Sequence, residues 1–269
     1  MDSLDVAEFA RRYGPAALVT GGANGIGAEY CRQIAATGLH VIILDRDERA
    51  LAEIADELGE TTTVDTVLVD LAMPADRLLV AIRDATRGHE VGLLVANAVW
   101  SPVGPFMESE LESLLAAVAI NSTATVVLTH ELGAAMAARG RGGIVIMSSL
   151  AAETGTAQVA LYSATKAFNL VLAEGLWYEL RDRGVDVIAI RPGSTRTMSW
   201  QGTQPADGDV SDAMEPSEVV AEALALLGTT PSTPVGDANR RAEQFFRSIS
   251  RREVIELMSS ITSKLVPPS

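Results

Sequence analysis

The chain has 269 residues, 48% of them hydrophobic, and a formal net charge of −14. A chain of this length buries most of its apolar surface without covalent staples, and its acidity opposes nucleic-acid or anionic-membrane binding, which calls for basic patches. One cysteine, Cys31, excludes an intramolecular disulfide framework and suits a reducing compartment.

The first twelve residues carry acids from the start and show no basic-then-apolar signal pattern, and no stretch reaches ~18 uninterrupted apolar residues. The expectation is a cytoplasmic protein with no membrane span. Ala17-Leu18-Val19-Thr20 reads as a buried strand, and Gly25-Ile26-Gly27 opens a helix running to Ala36. Val41 to Leu44 is a second strand, followed by a charged amphipathic helix from Glu48 to Leu58. Further strands are expected at Val67 to Val69, Leu93 to Val95, Ile144 to Ile146 and Val185 to Ile190. Near-continuous apolar strands alternating with helices imply a parallel sheet covered on both faces. The predicted fold is therefore a single α/β Rossmann domain over residues 1–269, a doubly wound parallel sheet of about seven strands.

Residues 197–216 change character, because Gln201, Gly202, Pro205, Gly208 and Pro216 interrupt any regular element. A mobile substrate loop over about 194–216 is expected. Beyond it come a helix from Glu218 to Leu227 and a short edge strand at Pro231 to Val235. Helical periodicity then runs from Arg240 to Lys264, a C-terminal helical extension of about 238–265 that packs on the body or on another subunit. The histidines His40, His89 and His130 are far apart in sequence, no spacing resembles a zinc site, and no metal is expected.

The segment from Thr20 to Gly27 follows the first strand and leads into a helix, with glycines at 21, 22, 25 and 27. Glycines let backbone approach a pyrophosphate closely, and a helix N-terminus offers free N–H groups with a positive dipole. The spacing is G-x-x-x-G-x-G rather than G-x-G-x-x-G, so alone it is equally a plain strand–helix turn. Asp45 ends the second strand, where a carboxylate can accept both adenosine ribose hydroxyls and repel a 2′-phosphate; otherwise it caps the next helix. Arg46 beside it favours that phosphate, whereas Asn24 adds no positive charge. Asp70 faces the adenine edge or serves as an N-cap.

Tyr162 and Lys166, four residues apart, share one helix face. A phenol of pKa about 10 is a poor base at neutral pH, and a neighbouring cation favours its phenolate. Ser149 lies thirteen residues upstream, just past the strand ending at Met147, where open α/β sheets bind ligands.

On the Thr20–Gly27 loop, Asn121, Ser149, Tyr162, Lys166 and Pro192-Gly193, in that order, the chain resembles the classical short-chain dehydrogenase/reductase family over nearly its whole length. The resemblance implies that Tyr162 is the general acid/base and that Ser149, rather than Ser148, hydrogen-bonds the substrate oxygen. Lys166 would bind the nicotinamide ribose and lower the Tyr162 pKa, Asn121 would hold a relay water, and Thr197 the carboxamide. Gly21, Asn24, Gly25, Ile26, Gly27, Asp45, Arg46, Asp70, Leu71, Asn97, Ala98, Pro192, Gly193 and Thr195 would complete the cofactor site. The cofactor implied is NAD, with NADP left open. Ala96-Asn97-Ala98-Val99 departs from the family's Asn-Asn-Ala-Gly by placing a β-branched residue beside the cofactor. The end of the chain looks like the subgroup of fatty-acyl and steroid carbonyl reductases, many of which prefer NADP, so Asp45 is a second departure.

Trp100, Val103, Phe106, Met107, Met198 and Trp200 point to a hydrophobic alcohol or ketone of steroid, terpenoid or fatty-acyl type. An NADPH-dependent 3-oxoacyl thioester reductase and a catalytically silent dinucleotide-binding regulator are the rival readings. A homodimer or homotetramer is expected from the resemblance, through helices around Glu108 to Ala138 and Tyr162 to Arg183. The face Ala167, Leu170, Ala173, Leu176 fits that role, and equally a face packed on its own sheet.

Overall fold

The apolar runs become neighbours in one sheet because each is too short and too hydrophobic to be stable outside it. A computed structural model describes residues 5–197, 202–203 and 213–265. After helix α1 (Val6–Tyr13) come β1 (Ala16–Thr20), α2 (Gly25–Ala35), β2 (His40–Asp45), α3 (Glu48–Leu58), β3 (Val64–Leu68), α4 (Ala75–Ala85) and β4 (Val91–Ala96). The chain continues through α5 (Leu111–Val118), a π-helical turn (Ala119–Thr123), α6 (Ala124–Arg139), β5 (Gly142–Met147), α7 (Ala160–Leu180) and β6 (Val185–Arg191). Helix α8 (Pro216–Leu226), β7 (Ser232–Pro234), α9 (Asp237–Ser248) and α10 (Arg251–Thr262) complete it. The seven strands lie in the order β3-β2-β1-β4-β5-β6-β7, and every adjacent pair is parallel.

Alternation along the strands sorts the core into two layers. Val41 and Ile43 join Tyr30 and Ile34 of α2, Leu51 and Ile54 of α3 and Val219 of α8 on one face. Ile42 and Leu44 join Leu78 and Ile82 of α4 and Leu128 and Met136 of α6 on the other. The run Leu111–Arg139 is by length and composition alone apolar enough to cross a membrane; 33% of its most apolar window is buried, with Leu128 and Met136 in this layer and Leu111 and Leu115 exposed.

Several details depart from the sequence reading. The third strand is Val64–Leu68, not Val67 to Val69, because as an edge strand it alternates and leaves Leu68 57% exposed. The C-terminal extension is two helices, broken where the Ser250 hydroxyl accepts the Glu253 N–H and Glu253 reciprocates to the Ser250 N–H, a capping box that starts a new helix. On α7, Ala173 is buried and Leu170 and Leu176 are partly buried against this chain's own sheet, the second of the two roles their pattern allows. The apolar residues left exposed there are Phe168, Val171 and Tyr178, next to Leu111 and Leu115 of α5. The histidines are not scattered in space: His40 and His89 lie with ring centroids 4.6 Å apart. Most of the expected substrate loop, with Met198, Trp200, Gln201, Pro205 and Gly208, lies outside the described residues.

Candidate active site

At the C-terminal edge of the sheet the chain leaves β1 through Gly21, whose φ of +62° suits glycine. A Cβ on Gly27 would stand 1.9 Å from the Gly21 carbonyl oxygen, so only glycine lets α2 begin against the turn. The N-cap residue of α2, Asn24, makes no side-chain capping bond, leaving the first-turn N–H groups available to an anion. The turn is braced from β4: Asn97 Nδ2 donates to the carbonyls of Thr20 at 3.0 Å and Gly21 at 3.1 Å. The Thr20 hydroxyl accepts the N–H groups of Asn97 and Ala98.

A cleft of about 390 Å³ opens over this turn. It is lined by Gly21, Asn24, Gly25, Ile26 and Gly27 of the turn and α2, by Asp45, Arg46, Asp70 and Leu71 past β2 and β3, and by Asn97, Ala98 and Thr197. Val99 lines it, beside the cofactor position as expected, and so do Leu44, Val69 and Ile120, which were not foreseen; all sit at or just past strand ends or on the π turn, the places an open α/β sheet offers a ligand. Pro192, Gly193 and Thr195, also expected there, lie past the end of β6 and are not among its lining residues.

Asp45 does not cap α3. Asp47 does, accepting the Ala50 N–H, while Asp45 accepts the N–H groups of Ala23 at 3.0 Å and Arg46 at 2.7 Å and so ties the glycine turn to the end of β2. Asp70 is not an N-cap either: α4 starts after Pro74, and Asp70 accepts the Ala72 N–H within its own turn. The Arg46 guanidinium is drawn over the Trp100 ring, 5.1 Å from its centre. Val99 fits without left-handed backbone, standing half-exposed on the cleft wall.

Beside the cleft, α7 carries Tyr162 and Lys166. Lys166 is buried with its Nζ donating to the Met147 carbonyl at 2.8 Å and lying 5.6 Å from the Tyr162 ring centre. Burial lowers the Lys166 pKa to about 8. Dense surroundings push the Tyr162 phenol up, counter to the lowering expected from Lys166, and Ser149 offsets part of that rise.

Ser148 and Ser149 point different ways. Ser148 Oγ donates to the Lys166 main-chain carbonyl at 2.8 Å and is spent on structure, whereas Ser149 Oγ accepts the Ala151 N–H at 3.1 Å, lies 3.4 Å from the Pro192 carbonyl, and is close enough to Tyr162 to lower its phenol pKa. Asn121 sits on the π-helical turn, where the looser winding swings it inward. Its Nδ2 donates to the Trp100 carbonyl at 2.9 Å and to Thr165 Oγ1 at 3.1 Å, and its Oδ1 accepts the Trp100 N–H at 2.8 Å. Both amide protons are therefore committed, and Asn121 clamps the β4 exit to the helix of Tyr162.

The substrate side is built from the exits of β4 and β5. Gln158, with φ of 65°, is the non-glycine residue in left-handed backbone among the described residues, and its carbonyl accepts the Gly104 N–H at 2.9 Å, joining the two walls. Phe106 is half-exposed and Met107 is 92% exposed, so Met107 does not pack into a wall. A pair of contacts that sequence reasoning missed fastens the C-terminal helices here. Buried Arg191 at the end of β6 bridges Glu153 and Glu243 of α9, and Ser259 Oγ of α10 accepts the Ala157 N–H at 3.1 Å. The one sequence signal for this clasp is an acid, Glu243, which proves to be the one buried position of α9.

A model of the short chain dehydrogenase family matches residues 15–227. A 7beta-hydroxysteroid dehydrogenase of Clostridium sardiniense is 27% identical over 92% of this chain and 95% of its own length. A solved structure described as giving insights into 7beta-hydroxysteroid dehydrogenase stereoselectivity superimposes with a TM-score of 0.87 at 27% identity, covering 93% of this chain and 98% of the other. A short-chain dehydrogenase from Sphingobium yanoikuyae in complex with NADPH matches with a TM-score of 0.72 at 29% identity, over 89% and 97% of the two chains. The chain belongs to the short-chain dehydrogenase family and is an oxidoreductase of that family.

Proposed function

We propose that this oxidoreductase transfers a hydride between NAD(H) and a bulky hydrophobic secondary alcohol or ketone, hydroxysteroids being the first class to test, with Tyr162 as general acid/base. The carrying observation is the joining of two parts. Ile120 lines the nucleotide cleft, and the next residue, Asn121, is bonded to Thr165 on the helix that holds Tyr162. A dinucleotide fits the residues present, since the cradle at Gly27 would be filled by a Cβ and the N–H groups of α2 are uncapped. When bound, it supplies the hydride donor or acceptor.

The protein's own residues then do four things. Tyr162 takes the hydroxyl proton in oxidation and returns it in reduction. Ser149 holds the substrate oxygen by a hydrogen bond that strengthens as negative charge grows there. Lys166 places a positive charge near the phenol, and Asn121 fixes the separation of the two walls. Asp45, with its carboxylate at the adenosine end, supports NAD over NADP by repelling a 2′-phosphate. A second reading, an NADPH-dependent 3-oxoacyl thioester reductase, is favoured by one observation: Arg46 lines the same end of the cleft. A silent nucleotide-binding role fits poorly with Ser149, Tyr162 and Lys166 being held together beside the cleft.

Fluorescence titration with NADH and NADPH, followed by turnover of a panel of steroid, terpenoid and acyl alcohols and ketones, tests this reading. Tighter NADH binding and turnover of a cyclic alcohol are expected. A preference for NADPH of tenfold or more overturns the role given to Asp45, and no turnover across the panel overturns the substrate class. The exposed Phe168, Val171 and Tyr178 with Leu111 and Leu115 support a dimer or tetramer built on α5 and α7. Sedimentation equilibrium should show that assembly and its loss in Val171→Glu; a monomeric parent protein would exclude it.

A further inference from the structure

The opposite edge of the sheet holds a group of side chains that the redox chemistry does not use. His40 opens β2, Asp65 follows the first residue of β3, and His89 lies in the turn between α4 and β4. In β2, His40 alternates with Ile42 and Leu44 and so faces the same layer as α4. Strand pairing sets Val41 beside Val64, which places His40 and Asp65 next to one another on that face. His40 Nε2 stands 2.9 Å from Asp65 Oδ2, and His89 Nε2 stands 3.2 Å from the same oxygen. All three donor atoms fall within 4.8 Å of one another.

We propose that His40 Nε2, Asp65 Oδ2 and His89 Nε2 form a binding site for a divalent first-row transition cation such as Zn²⁺. Two features separate this arrangement from a carboxylate hydrogen-bonded by two imidazoles. First, His40 Nε2 is buried and makes no hydrogen bond although an acceptor oxygen lies only 2.9 Å away. A ring nitrogen that donates a hydrogen bond points at its acceptor, whereas donors around a shared ion point past one another to the centre. Second, the spacing suits an ion. Zinc–nitrogen bonds of ~2.0–2.1 Å and zinc–oxygen bonds of ~2.0–2.2 Å at tetrahedral angles put neighbouring donors ~3.3 Å apart, close to the two contacts seen.

The donor set also selects the ion. Two imidazoles and one carboxylate suit zinc, copper, nickel or cobalt, while magnesium and calcium prefer all-oxygen shells. Three protein donors leave a fourth position for water or an outside ligand, reached from the side of His89, whose side chain is 31% exposed. An ion there would link β2, β3 and the α4–β4 turn. It lies across the sheet from the nucleotide cleft, so it acts on stability or assembly rather than on the hydride step.

The test uses the full chain with any affinity tag removed. Co²⁺ titration followed by its visible absorption, and Zn²⁺ titration against a chromogenic chelator, should each show about one equivalent bound per chain. Zn²⁺ should raise the melting midpoint. His89→Gln and Asp65→Asn, which keep side-chain size near the surface, should weaken binding at least ~10-fold and remove the thermal shift. His130→Ala should bind as the parent does, because His130 is not among the grouped donors. Circular dichroism of each variant separates loss of the site from loss of the fold. Absence of stoichiometric binding overturns the proposal, as does undiminished binding in folded His89→Gln and Asp65→Asn, or loss of binding in His130→Ala. Nucleotide titration and turnover are independent of each of these readouts, so failure here leaves the oxidoreductase reading standing, and the reverse.

Discussion

The two edges of this parallel sheet are made from the same strands and differ in almost everything else. At the C-terminal edge the chain leaves β1 through the glycine turn into a helix whose N-cap residue makes no side-chain bond, and left-handed Gln158 joins the exits of β4 and β5. At the N-terminal edge it arrives from helices through short turns, and the polar groups there meet one another, as His40, Asp65 and His89 do. The contrast shows what parallel strands impose. One edge gathers backbone able to hold a ligand, and the other gathers side chains brought together only by strand order.

The sharpest way to break that contrast is to remove the phenol. Tyr162→Phe should lower turnover about 10²–10⁴-fold with little change in nucleotide affinity, the span that a positioned proton-transfer group contributes. Undiminished turnover would move the chemistry elsewhere. The pH profile of the parent enzyme sharpens the same point. Burial raises the Tyr162 phenol and lowers Lys166 to about 8, so alcohol oxidation, which needs phenolate, should accelerate as pH climbs into the alkaline range, and ketone reduction, which needs the phenol, should not. Next in size is Gly27→Ala, whose Cβ would meet the Gly21 carbonyl and force the turn open. Nucleotide affinity should fall at least ~10-fold, about 1.4 kcal/mol, by fluorescence titration. Retained affinity would show that this turn does not cradle the phosphates. The smallest expected effect lies at the other edge: His89→Gln should leave kcat within about twofold while abolishing Zn²⁺ binding, and a large fall in kcat would mean that the two edges are coupled.

The same contrast explains what could be read before any coordinates. The glycine turn, Ser149, Tyr162 and Lys166 are legible because each lies at a strand end or on one helix face, where local spacing fixes geometry. His40, Asp65 and His89 are 25 and 24 residues apart, with no local pattern, and only the order β3-β2-β1-β4 brings them together. The edge strand β3 was misplaced because a half-exposed strand alternates where a buried one runs continuously. The face of α7 stayed ambiguous because packing on a sheet and packing on a second subunit demand the same small apolar residues. The break at Ser250 was present in the Ser-Arg-Arg-Glu spacing and was masked by apolar periodicity on both sides.

The π-helical turn at Ala119–Thr123 bears on how this site tolerates changes in chain length. In an ordinary helix, one residue gained or lost turns everything beyond it by about 100° and scrambles two packed faces. A π turn is an α-helix already holding one surplus residue, so shortening the chain by one there restores regular winding and leaves Leu111–Val118 and Ala124–Arg139 in their original phase. The cost of such a deletion would fall on Asn121 and its clamp on Trp100 and Thr165. At this point the scaffold and the chemistry can be edited separately, by insertion and deletion rather than by substitution.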